Sequence, residues 1–203
     1  MLQTNLKREI TAMIENALVR NNASLKIKIT VKALISVGII ALAVILPQLA
    51  HLTFGQSAGI MLLPMYLPVL LGGCLLGSAW AAVIGLLSPL ASFVITSAVS
   101  SPMPAAARLP FMMAELCVFA AVSGLFSKKI AENALFAFSA VVLAELCGRG
   151  FFLLSVTVFA RFTPFTAAMI WGQIKTGVPG LLIQALIIPA VTAVLSRILK
   201  KED

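Results

Sequence analysis

Charge is what this chain has least of. Only 11% of its 203 residues are Asp, Glu, Lys or Arg, and the 75 consecutive positions between Lys32 and Arg108 contain none. Soluble domains carry about 25% charged residues, so the shortage excludes water as the main solvent. Histidine occurs once, at His51, and no two of Cys74, Cys117 and Cys147 have the CxxC spacing of a redox or zinc site. A His/Cys metal cage is therefore not expected, and the cysteines read as buried, inert thiols. HExxH and GxSxG are also missing, and one histidine limits acid and base relays, so no enzyme is expected. Without a GxxxxGK[ST] loop the chain has no Walker site for nucleotide hydrolysis, and no cofactor of its own is implied.

What is present is hydrocarbon. Hydrophobic residues make up 61% of the chain and the mean hydropathy is +1.07. A spanning helix needs about 20 predominantly apolar residues, and the charge-free stretch alone has room for three. The net charge of +8 raises the question of nucleic acid. The basic residues, however, cluster beside apolar segments with no recognition motif or interleaved aromatics, so they read as topogenic charge.

Residues 1–29 form a cytoplasmic segment in this reading. Leu2, Leu6, Ile10, Met13, Ile14 and Leu18 recur at helical spacing, which predicts an amphipathic helix on the membrane surface. Lys7, Arg8, Glu9, Glu15 and Arg20 leave no compact apolar core, so no cleaved signal is expected. The polar stretch 21–24 is expected to break the helix. Residues 30–199 then form a membrane domain of six spans: 33–45 extending to 50, 60–76, 79–97, 109–126, 134–159 and 178–199. Pro47 marks a kink or an end, 51–59 a loop, Gly77 and Ser78 a tight turn, and 161–177 a short surface helix. The fold class is thus an all-α integral membrane bundle. Eleven of the fifteen Lys and Arg fall at ends that six spans place on one side, which the positive-inside rule makes cytoplasmic. Both termini are then inside the cell membrane, and the loops near His51, Pro102 and Trp171 face outward.

Three charges stand inside the spans. Glu115 lies in the fourth, Glu145 and Arg149 in the fifth, where a central charge costs about 2.5–3.5 kcal/mol on insertion scales. Glu145 and Arg149 are four apart and share a helix face. Arg149 either neutralises one of the acids to lock helices together or reaches a polar substrate, and both readings hold at once without conflict. Phe54, Tyr66 and Trp171 read as an aromatic belt near the outer face, His51 as a loop or capping residue, and Gln184 as a bond between helices.

The segments LPQLAH (46–51), LPMYLPVLLGGCLLG (63–77), GLLSPLASF (85–93), LPFMMAEL (109–116), ELCGR (145–149) and VPGLLIQALIIPAV (178–191) together resemble the S components of energy-coupling-factor (ECF) importers. The resemblance covers most of residues 30–198. It implies a six-helix subunit that captures a water-soluble vitamin or related micronutrient and works with a transmembrane coupling protein and two ATPase subunits, which use the ATP. It implies substrate contacts at His51, Phe54, Met65, Glu115, Arg149 and Gln173, with Glu145 beside them. It also implies a docking face for the coupling protein at Ala33, Val37 and Ala41, although the central position of that family pattern is usually small. The competing expectation is a proton-coupled secondary transporter using Glu115 and Glu145. Its signal would be an internal hydropathy repeat, and none is evident.

Overall fold

The computed structural model describes residues 2–55, 61–98, 100 and 102–201, with side chains described between 28 and 195 of these. Every regular element among the described residues is helical. They are α1 (Leu2–Phe54), α2 (Tyr66–Leu76), α3 (Ser78–Ser97), α4 (Leu109–Leu125), α5 (Ser127–Glu132), α6 (Phe136–Val158) and α7 (Ala167–Lys201), with one turn of 3-10 helix at Ala160–Phe162. The chain divides into two compact units, Met1–Ile35 and Ser36–Asp203. The second contains the helix bundle.

Several expected boundaries move. The stretch 21–24 does not break α1; it contains neither Gly nor Pro, and Asn and Ser cost a helix only about 0.7 kcal/mol or less each. The apolar face expected along 2–18 lies outside the described side chains. Pro47 does not end α1, which continues to Phe54, so His51 sits in its last turn and not in a loop. Residues 161–177 are not a separate surface helix either. Most of them belong to α7, which passes through Pro179 and Pro189, as helices surrounded by hydrocarbon and neighbouring helices tolerate.

Among the described residues four helical stretches, Lys28–Phe54, Ser78–Ser97, Phe136–Val158 and Ala167–Leu195, are long and apolar enough to cross a membrane. The spans expected at 60–76 and 109–126 are shorter helices of 11 and 17 residues. At 1.5 Å per residue these reach about 17 and 25 Å, against a hydrocarbon core of roughly 30 Å. In α2 the reason is local: Leu63 takes a left-handed φ of 49° immediately before Pro64, which interrupts the helix before Tyr66. The faces turned away from the bundle are apolar. Leu146 and Leu186 are each 68% exposed, and Leu182 and Val94 hardly less. Contiguous apolar surface of this kind is unstable in water and normal in lipid. This is an all-helical membrane protein.

The centre of the bundle is α4, which packs against α2, α3 and α6. Glycine makes those approaches possible. Gly73 of α2 faces Ser123 and the Ala120 carbonyl, Gly85 of α3 faces the Leu116 backbone, and Gly148 of α6 lies under the Phe119 ring. At Gly124 of α4 a β-carbon would come within 2.6 Å of the Ser78 Cα. Close backbone approach through small residues is the main source of helix association where no hydrophobic effect drives it.

Gly85→Ala forces its methyl into the Leu116 backbone, which has no side-chain freedom with which to yield. The expected loss is about 1–3 kcal/mol. Gly38→Ala, where no atom lies within 4 Å of the added carbon, is expected to be neutral or to gain the roughly 0.5–1 kcal/mol of helix preference. Thermal unfolding of the purified variants in detergent measures the difference.

Candidate ligand-binding site

At one end of the bundle the α2–α3 turn at Gly77 lies beside Ser127, where α4 gives way to α5. At the other end a cavity of about 370 Å³ opens among the last turns of α1, the starts of α2, α4 and α7, and the loop before α4. That volume lies within the roughly 300–1,000 Å³ of small-molecule sites.

Each wall has a reason to be where it is. Leu63 is left-handed, and Gln184 Nε2 of α7 donates to the carbonyls of Leu62 and Leu63, both at 3.1 Å; the Leu63 carbonyl also accepts the Tyr66 N–H at 3.0 Å. Gln184 therefore serves irregular backbone and not a regular helix–helix contact. Irregular backbone at membrane depth persists only where protein buries it or a cavity adjoins it. The loop before α4 is pinned to α3 at Met103: Ser92 Oγ donates to its carbonyl at 2.8 Å, and its N–H donates to Thr96 Oγ1 at 2.8 Å. Ser92 and Thr96 are one turn apart, so a single face of α3 holds the loop. The Met103–Pro104 peptide bond is cis.

Behind the cavity lies a buried polar cluster. Arg149 Nη1 of α6 donates to Glu115 Oε1 of α4 at 2.8 Å, and Tyr66 Oη of α2 donates to Glu115 Oε2 at 2.7 Å. The guanidinium lies 4.8 Å from the Tyr66 ring centre and 5.8 Å from that of Phe119, within the range of cation–π attraction. Those two rings meet edge to face at 5.1 Å. Both oxygens of Glu115 are thus satisfied, while Arg149 keeps Nε and Nη2 buried with no partner. Each buried unsatisfied group costs about 1–3 kcal/mol, more if charged.

Of the residues expected at the site, His51, Met65, Arg149 and Gln173 line the cavity. Glu115 is fully buried behind Arg149. Phe54 is 70% exposed and does not line the cavity. Glu145 is buried one turn before Arg149, yet Arg149 pairs with Glu115 and Glu145 Oε1 has no partner. Trp171 faces outward beneath the Lys175 ammonium, as an interfacial aromatic does. Tyr66 does not: it is 2% exposed and belongs to the cluster and the cavity wall. As the only tyrosine, set between Pro64 and Pro68 in an apolar run, it has a hydroxyl that needs a buried partner. Arg108 also lines the cavity, its guanidinium 5.7 Å from the Phe152 ring. In the sequence it marked only the end of the uncharged stretch. Of the residues expected to form a docking face, Val37 and Ala41 are exposed and Ala33 is half-buried.

The fold and the site define a class: a helical membrane protein with a small-molecule cavity against a buried Tyr–Glu–Arg cluster. No protein-family model matches the chain, and no curated protein or solved structure does.

Glu115→Gln removes the charge that holds Arg149. Breaking a buried pair from one side costs about 3–5 kcal/mol, so a large fall in thermal stability is expected. Glu145→Gln breaks no hydrogen-bonded pair and removes only a longer-range attraction to Arg149, so a smaller loss, within about 1–2 kcal/mol, is expected. Equal losses in the two variants, compared by scanning fluorimetry, would contradict this assignment of partners.

Proposed function

We propose that the protein is the substrate-binding S component of an ECF-type importer, capturing a water-soluble vitamin or related micronutrient. The observation that carries this reading is the cavity, whose wall includes an arginine braced on three sides and still short of partners. A protein that only packs has no use for such a group, whereas a ligand's oxygen completes it. In this reading α2 and α4 complete six crossings with α1, α3, α6 and α7, in the cell membrane with both termini cytoplasmic. Lys128 and Lys129 stand at the end of the bundle opposite the cavity, which therefore opens outward by the positive-inside rule.

The substrate contacts are His51, Met65, Arg149 and Gln173, with Glu115 holding Arg149 in place. Energy comes from two partner ATPase subunits through a transmembrane coupling protein, since the chain has no nucleotide loop of its own. On α1 the exposed Gly38 and Ala41 are small enough for close helix approach to that partner, although Val37 between the family's small positions is not.

One observation favours a second reading. The partnerless, buried Oε1 of Glu145 suits a proton-carrying carboxyl of a stand-alone secondary transporter. Uptake of radiolabelled vitamins by cells expressing the chain alone, and then with an ECF coupling module, separates the two. Uptake that depends on the module is expected. Full ATP-independent uptake by the chain alone would reject the S-component reading in favour of the second.

A further inference from the structure

The cavity wall is unbalanced in charge. Among the described residues Arg108 and Arg149 line it, and no carboxylate does. Glu115 lies behind Arg149 with both oxygens already engaged, and Glu145, outside the lining, makes no bond to Arg149. Among the buried lining atoms without a partner, three are guanidinium donors: Arg108 Nε, Arg149 Nε and Arg149 Nη2.

On Arg149 the two free donors are adjacent. Nε and Nη2 form one edge of the planar group, the fork that receives both oxygens of a carboxylate. Glu115 holds the remaining nitrogen, and the rings of Tyr66 and Phe119 hold the plane. The fork is therefore oriented before any ligand arrives, which lowers the entropy lost on binding. Met65, Met103, Met112 and Phe165 make much of the remaining wall apolar.

We infer that the cavity takes a small molecule bearing a carboxylate on an otherwise largely apolar body, the carboxylate meeting the Nε–Nη2 edge of Arg149 with Arg108 beside it. This rests on the binding function proposed above and names the chemistry of its ligand.

The test uses the purified full-length protein in lipid nanodiscs. It is incubated with an equimolar mixture of cationic, neutral, carboxylate and phosphate-bearing water-soluble vitamins, together with methyl esters of the carboxylates. Retained compounds are identified by mass spectrometry after gel filtration and release. A carboxylate is expected to be retained, with its methyl ester bound about tenfold or more weakly, as loss of charge-assisted hydrogen bonds dictates. Arg108→Gln is expected to weaken the acid several-fold more than its ester. Retention of a cationic, neutral or phosphate compound, or equal binding of acid and ester, overturns the carboxylate assignment while the binding function stands. Retention of nothing overturns both.

Discussion

Arg149 reaches Glu115 from one helix to another inside a bundle whose outer faces are hydrocarbon, and the interaction sets terms for everything around it. Neither charge has bulk water to retreat to, so each is held by what the bundle supplies. Glu115 takes hydrogen bonds on both oxygens, from α2 and from α6. A single carboxylate on α4 thereby ties three helices at one depth, and the backbones must approach closely enough for it to do so. The glycines at 73, 85 and 148 permit that approach by placing no β-carbon between α4 and its neighbours.

The same cluster links the fold to the cavity. Tyr66 is the first residue of α2, and its position follows from the interruption at Leu63 and Pro64, which Gln184 stabilises from α7. Breaking the helix there costs regular hydrogen bonds. In exchange it leaves a concave wall near membrane depth, lined by the turn that made it. The arginine anchored by Glu115 forms part of that wall without being saturated by it. A buried pair that served packing alone would be expected to satisfy its remaining donors within the protein.

Much of the architecture was legible in the chain. The uncharged stretch and the apolar runs announced a membrane protein, and α3, α4 and α6 begin and end within a few residues of where hydropathy placed them. The expected last span, 178–199, already ran through Pro179 and Pro189; what was not legible was its extension back to Ala167, through a stretch that read as a separate short helix. The interruption before Tyr66 was missed because LPMYLP reads as apolar as its surroundings, and the carbonyls at the left-handed turn are met by Gln184, distant in sequence.

The site divides in the same way. Composition alone determined that Glu115, Glu145 and Arg149 are costly in lipid and need an explanation, because the cost of an intramembrane charge does not depend on the partner eventually found. Which acid the arginine meets is another matter. Helical spacing brings Glu145 onto the face of Arg149, yet the bond goes to Glu115 on another helix. The recruitment of Tyr66 and Arg108 to the cavity, and the exclusion of Phe54 from it, were likewise decided only by packing. Spacing along one helix fixes a direction, while a partner requires a distance, and distances between helices exist only in the folded bundle.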